Sequence, residues 1–376
     1  MVEVDWDLSK AVGYHYGMFP PRRLDYERLL KPLARATDAL ARFDQMLKNM
    51  HNSEILLAPL RKQEAVISSR MEGTVSTIDE IMRYEADYDD DAEGIRQVRS
   101  EIVETLLYQR ALKAAQSSLE EDQDLSPWFV RGIHQKLLSL GRGAEQSPGS
   151  YKSEQNYLVD KRDRKVRFVP ISPEKMQDGL DRLFEYINKS EDQVLIKTAL
   201  AHVEFEALHP FKDGNGRIGR MLITLMLWKD GVITAPHFYI SAYLEEEKDM
   251  YIDVMRDVSR AGDWTGWCCF FLEALEKQAF HNLKIAEEIR SLYEQMKTVF
   301  RDLLASKWHA NALDVVFTSP IFRGNKFAAA GGITPSTATR FVRVLTEAGL
   351  LHVLEAPAGR RAGMYAFEPL LRLVRV

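Results

Sequence analysis

A dozen consecutive residues, His209-Pro210-Phe211-Lys212-Asp213-Gly214-Asn215-Gly216-Arg217-Ile218-Gly219-Arg220, bring together more chemically capable groups than any other stretch of the chain. Apolar periodicity on either side predicts helices over Asp192–Leu208 and Arg217–Lys229. Asp-Gly-Asn-Gly alone would suit a hairpin turn, but helical flanks argue against one. A glycine-rich turn between two helices lets backbone N–H groups converge on an anion at the positive end of the second helix dipole. Phosphate is the natural guest. Asp213 can hold a hard cation such as Mg²⁺, which takes one or two protein carboxylates and keeps phosphates and waters as its other ligands. Arg217 and Arg220 can grip phosphate oxygens through guanidinium forks. His209 belongs to the one residue type that ordinarily accepts a proton at neutral pH, so it can take one from an attacking hydroxyl. A lone histidine or arginine would mean little. A base, a metal ligand, an anion cradle and two charge clamps in one turn are the set that phosphoryl or nucleotidyl transfer requires.

Helices must position this turn, and period-three-and-four patterns dominate the chain, so the predicted class is all-α. Leu29, Leu33, Ala36, Leu40, Phe43 and Leu47 line one face of a helix from Asp25 to about Met50. A second helix runs from about Ser53 to Met71 or Glu72, with Pro59 in its first turn and Gly73 as a left-handed stop. Asp87–Glu93 reads as an acidic loop, and helix resumes over Ile95–Ser117. Ser126-Pro127 starts another helix, running to about Leu140, as N-cap and first residue. Tyr157–Val159 and Val166–Val169, around the charged turn Asp160–Lys165, predict a small β-hairpin. Further helices are expected over Pro173–Asn188 and between Lys248 and His281. Ile285, Ile289, Leu292, Met296, Val299 and Leu303 predict a long amphipathic helix over Lys284–Lys307, a strut or a pairing seam that would suit a homodimer.

With 376 residues the chain has room for two or three domains, and 45% hydrophobic residues supply a sizeable core. A net charge of −5 gives no sign of a surface coated for nucleic acid or anionic membrane. The two cysteines, Cys268 and Cys269, are adjacent and exclude a disulfide framework. No basic-then-apolar leader follows Met1-Val2-Glu3-Val4-Asp5, and the longest greasy run, Met221–Trp228, is too short to span a membrane. The chain reads as cytoplasmic. Residues 309–376 carry eight basic and four acidic side chains in an otherwise acidic chain, which marks a boundary.

On the residues His209–Arg220, which fit every fixed position of HxFx(D/E)GNGRxxR, the chain resembles the Fic family. Ala201-His202, Phe205-Glu206 and Leu208 resemble the family's preceding helix. Pro148-Gly149, Tyr151 and Gln155-Asn156-Tyr157 resemble its PGxFRxxQNW segment, with Lys152 where arginine is usual. The likeness covers roughly residues 15 to 280. It implies four parts: an N-terminal helical region 1–110, a Fic core 111–283, a connecting helix 284–308 and a C-terminal domain 309–376. Family members mostly move AMP from ATP to a Ser, Thr or Tyr hydroxyl of a target protein. The resemblance implies that His209 deprotonates this hydroxyl and Asp213 holds Mg²⁺. Gly214, Asn215, Gly216 and Arg217 would bind the α- and β-phosphates, Arg220 the γ-phosphate, with Pro210, Phe211 and Lys212 completing the ATP-binding loop. Phe168, Val169 and Pro170 sit where the family carries its target-docking flap, and Tyr251 lies near the adenine position, followed by Ile252 where a second tyrosine is frequent. Ser68-Ser69-Arg70-Met71-Glu72-Gly73 matches the family's inhibitory motif (S/T)xxxE(G/N), which implies that Glu72 pairs with Arg220 and keeps ATP unproductive. In some members the same glutamate serves removal of AMP.

Residues 310–376 read as helix, Thr318-Ser319-Pro320, helix to about Ala330, and a helix capped by Thr334. A two-stranded wing over Leu351–Leu354 and Met364–Phe367 follows, and the whole resembles a winged helix-turn-helix. Arg340, Arg343, Arg360 and Arg361 could face a nucleic-acid backbone, so a DNA-binding regulator with a nucleotide-sensing core stands as the alternative function.

Overall fold

The computed structural model describes residues 8–50, 53–88, 99–121, 123–160, 163, 165–359 and 361–375. The acidic loop from 89 onward, the start of the helix expected at Ile95, residues 161, 162 and 164 of the hairpin turn, Arg360 and the segment Met1–Asp5 lie outside them. The chain is mainly helical and gathers into two discontinuous units, Met1–Asp44 with Leu107–Phe280 and Gln45–Leu106 with His281–Val376. The division falls inside helices α1 (Tyr26–Lys48), α4 (Ser100–Glu120) and α11 (Trp264–Leu304). Among the described residues no helix is long and apolar enough to cross a membrane.

The first unit is built on α7 (Val194–Leu208) and α8 (Asn215–Lys229), nearly all of whose residues are buried. Such helices need partners on every side, and several of their buried polar side chains are paired. Lys197 pairs with Asp230 at 2.7 Å. Glu204 receives Tyr14 Oη–H at 2.5 Å and lies 2.7 Å from His15 Nε2. Gly219 allows α7 and α8 to approach, since a Cβ there would stand 2.3 Å from Glu206 Oε1. Helix α5 (Pro127–Leu137) begins as expected, with the Ser126 hydroxyl accepting the Phe129 N–H at 3.1 Å. Helices α6 (Met176–Lys189), α9 (Ser241–Glu246) and α10 (Lys248–Ala261) complete the shell.

The hairpin forms, with β2 (Leu158–Val159) antiparallel to β3 (Val166–Val169). A two-residue strand β1 (Val12–Gly13) also pairs with β3 in parallel, so β3 is the central strand of the sheet. Nothing in so short a segment distinguishes it from loop. Its extended state comes from the partner.

In the second unit, α2 (Ser53–Met71) places Pro59 in its second turn rather than its first. Burial of Leu57, Leu60, Ala65 and Val66 offsets the missing N–H. Gly73 takes φ +95° as anticipated. Helix α3 (Ile78–Asp87) opens with a capping box between Thr77 and Glu80. The C-terminal residues form α12 (His309–Thr318), β4 (Ile321–Arg323), α13 (Gly324–Ala330), α14 (Pro335–Glu347), β5 (Leu351–Glu355), β6 (Met364–Phe367) and α15 (Glu368–Val374). The expected pair of strands is a three-stranded antiparallel sheet in the order β4-β6-β5. Ile321–Arg323, read as helix, is a strand because it pairs with Met364–Ala366. Thr334 precedes α14, but its hydroxyl donates to Thr337 Oγ1 instead of capping the backbone. Long-range ion pairs hold α3 in this unit: Arg323 Nε donates to Asp87 at 2.7 Å, and Arg375 Nη2 to Asp79 at 2.9 Å.

The helix expected over Lys284–Lys307 is the distal part of α11, which starts at Trp264 after the break at Gly262 and ends at Leu304. Its apolar seam is largely used inside the chain: Ile285 and Ile289 are buried, Leu292, Met296 and Val299 half-buried, and Leu303 is 38% exposed.

Candidate active site

The turn between α7 and α8 is shaped by two left-handed residues. His209 closes α7 at φ 47°, ψ 61°, and Gly214 opens α8 at φ 79°. Glycine suits the second position, because a side chain there would be strained and would meet Leu137 at 3.3 Å. Histidine at the first costs about 1–2 kcal/mol in backbone energy, which the surroundings must offset.

Between them the loop is held from within and from below. Asn215 Oδ1 accepts the Phe211 N–H at 2.9 Å while its Nδ2 donates to the Phe211 carbonyl at 2.8 Å. Phe211 is wholly buried, with its ring stacked on His134 at 3.7 Å and 7°. The Gly149 N–H donates to His134 Nδ1 at 2.8 Å, which fixes Nε2 as the protonated nitrogen that donates to the Asp213 carbonyl at 3.0 Å. Burial pushes the His134 pKa down to about 4, so this neutral tautomer persists. The Phe211 and Asn215 side chains are therefore committed to shaping the loop, leaving backbone N–H groups to meet a ligand.

Asp213 is half-exposed, and its carboxylate accepts the Gly214 N–H at 2.7 Å and Arg217 Nη2 at 3.1 Å. The first i→i−4 bond of α8 runs from the Ile218 N–H to the Gly214 carbonyl at 3.1 Å, so the N–H groups of Asn215, Gly216 and Arg217 lead the helix. Arg217 is 2% exposed, and its Nε and Nη1 have no partner among the described residues. Buried guanidinium donors without acceptors, beside a helix N-terminus, fit an anionic ligand. Arg220 is buried one turn further along, while Lys212 is exposed and Pro210 buried. Among the described residues no cluster of three or more His, Cys, Asp or Glu could hold a metal, so a cation here would rely on Asp213 together with phosphate and water.

Tyr251 is 4% exposed and donates its hydroxyl to His202 Nε2 at 2.7 Å. His202 Nδ1–H in turn donates to the Gly219 carbonyl at 3.2 Å, and burial drives its pKa down to about 3. The Tyr251 ring packs against Trp267 and Phe270. In the β1–β3–β2 sheet, Phe168 and Pro170 are buried and Val169 half-buried. Phe168 pairs with both Val12 and Leu158, so a docking strand would find its edge on β1 or β2. Glu72 lies just past the end of α2, exposed, with its N–H bonded to the Ser69 carbonyl at 3.1 Å.

Sequence reasoning passed over His134, and it treated Lys152 only as a departure from a pattern. Lys152 is buried, and desolvation lowers its pKa to about 7. An apolar helix face interrupted by one histidine, and a lysine in a segment that must pack, were the available signals.

These features define a mainly helical protein with buried, unmatched guanidinium donors beside a helix N-terminus. The profile of the Fic/DOC family N-terminal region matches residues 30–117, and that of the Fic/DOC family matches residues 124–227. The chain belongs to the Fic/DOC family. A probable protein adenylyltransferase of Aquifex aeolicus is 25% identical over 255 residues, 64% of this chain and 75% of that protein. Protein adenylyltransferase fic-1 of Caenorhabditis elegans is 26% identical over 141 residues, 35% of this chain but 26% of that protein. The crystal structure of a Fic family protein from Desulfovibrio desulfuricans superposes with a TM-score of 0.56 at 17% identity, covering 90% of this chain and 95% of that one.

Proposed function

We propose that this chain is a protein adenylyltransferase that moves AMP from ATP to a hydroxyl of a target protein and is restrained by Glu72. The observation that carries the reading is the pairing of a left-handed His209 with the partnerless buried donors of Arg217 across one turn. His209 takes the proton as the target oxygen forms its bond to the α-phosphorus and the bond to the bridging oxygen breaks, releasing pyrophosphate. The N–H groups at the start of α8 and the Arg217 fork hold the phosphate oxygens in line, so the work is positioning and charge neutralisation. Asp213 is the residue to hold Mg²⁺, which would supply neutralisation of phosphate charge. Arg220 serves the γ-phosphate, and in the resting protein Glu72 occupies it.

Tyr251 supports the adenine side of the site through its ring, because its hydroxyl is committed to His202. A target strand pairs with the β2 or β1 edge of the sheet around Phe168. Within residues 309–376, Arg361 pairs with Asp87 and Glu355, Arg343 with Glu347, and Arg340 donates to the Leu304 carbonyl.

Intact-mass measurement after incubation with ATP and Mg²⁺ tests the proposal. Self-modification by one AMP, increased in Glu72→Gly and absent in His209→Ala, is the expected result. Equal modification in the parent and Glu72→Gly would remove the inhibitory role. Modification persisting in His209→Ala would remove the base.

A further inference from the structure

The main-chain carbonyls of Leu208, His209, Pro210 and Phe211 are all captured by one short segment. Lys152 Nζ donates to the Leu208 carbonyl at 3.1 Å, and the Lys152 N–H donates to that of Pro210 at 2.9 Å. Asn156 Nδ2 donates to His209 O at 3.3 Å and to Phe211 O at 3.2 Å. Lys152 Nζ also donates to Asn156 Oδ1 at 2.8 Å, which orients the amide so that its NH₂ faces the loop. Gln155 ties the same segment to the end of β3 through the Pro170 carbonyl at 3.1 Å.

This arrangement answers two energetic questions at once. Carbonyls at a helix C-terminus lack intrahelical donors and ordinarily turn to water or to a Schellman pairing. Here the helix runs into a histidine with left-handed backbone angles, which that residue does not favour unaided. An ammonium that is 4% exposed is likewise costly unless its protons are used. The segment offsets both costs together, since Lys152 Nζ spends its protons on the Leu208 carbonyl and Asn156 Oδ1 at the negative end of the α7 dipole, an end that favours the protonated amine.

We propose that Lys152 and Asn156 are positioning residues for His209, holding residues 208–211 in the left-handed turn that presents its imidazole to the incoming hydroxyl. The proposal rests on the transferase reading for its catalytic consequence, whereas the clamp itself is a property of the loop. Arginine can occupy position 152 and donate to the same acceptors, while methionine keeps the length and loses every side-chain donor. Aspartate at 156 keeps the shape and presents an acceptor to two carbonyls.

The test uses the full chain with Lys152→Met, Lys152→Arg and Asn156→Asp. It reads AMP transfer, the KM for ATP, and hydrogen exchange of residues 205–216. Losing about 1.4 kcal/mol of hydrogen bonding accelerates local opening about tenfold, so Lys152→Met and Asn156→Asp should show at least this faster exchange. Their kcat should fall at least about tenfold while KM for ATP stays within about threefold, and Lys152→Arg should restore both readouts. Unchanged exchange in both disruptive variants overturns the clamp, as does a kcat within about twofold of the parent. A loss confined to KM would assign the segment to nucleotide binding instead and also overturns it. If no form, parent included, transfers AMP, the transferase reading falls, and the exchange data still decide whether the clamp exists. Should Lys152→Met not fold, Asn156→Asp and Lys152→Arg carry the comparison.

Discussion

Acid should weaken this fold through a histidine that contacts no ligand. His202 sits wholly inside the first unit, donating from Nδ1 to Gly219 and accepting at Nε2 from Tyr251. Burial lowers its pKa from 6.5 to about 3. The unfolded chain therefore takes up a proton at a higher pH than the folded one. Stability is intact above about pH 6.5 and drains away as pH falls towards about 3, at up to about 1.4 kcal/mol per unit. Between pH 8 and pH 5 the loss assigned to His202 is about 2 kcal/mol, a large part of a typical folding free energy of about 5–15 kcal/mol. Urea unfolding followed by tryptophan fluorescence, to which Trp267 contributes with its ring centroid 6.1 Å from that of His202, can measure it. His202→Gln keeps an acceptor for Tyr251 and cannot titrate, so the variant should lose about 2 kcal/mol less than the parent over this range. Parallel curves for the two proteins, or an NMR titration placing His202 near its ordinary value, would refute the reasoning.

Three further outcomes follow from the same contacts. Asn215→Ala should destabilise the protein by about 1–3 kcal/mol, because the buried Phe211 N–H loses its acceptor, and AMP transfer should fall with it. Arg217→Lys should raise the KM for ATP at least about tenfold with little change in stability, since a point charge cannot replace a buried fork; an unchanged KM would contradict the phosphate assignment. Arg323→Ala should cost about 2 kcal/mol in urea unfolding, as Asp87 and Glu355 both lose a charged donor, and no loss would show these pairs to be ornamental.

What could be read from the sequence was local. The Ser126-Pro127 start, the Gly73 stop and the dense apolar runs of α7 and α8 are each set within a few turns, so residue order reveals them. The motif His209–Arg220 was legible for the same reason, since its members sit on consecutive positions of one turn. Nothing local announces β1, which is extended only because Val12 and Gly13 pair with Phe168 and Val169. Nor could the clamp be seen, because Lys152 and the Leu208 carbonyl are 56 residues apart. The ion pairs tying α3 to the C-terminal residues span still longer separations, 236 for Asp87 with Arg323 and 296 for Asp79 with Arg375. Ile321–Arg323 misread as helix makes the same point, since partner strands override weak propensity in short segments.

The central claim is nucleotidyl transfer from the α-phosphorus by the turn at His209. Incubating Glu72→Gly and its His209→Ala derivative with Mg²⁺ and ATP labelled at either the α or the γ position, together with a lysate as source of target, tests it most directly. Label in protein from α-labelled ATP only, lost with His209→Ala, is the predicted result. Label arriving from the γ position, or α-label that survives His209→Ala, would contradict it.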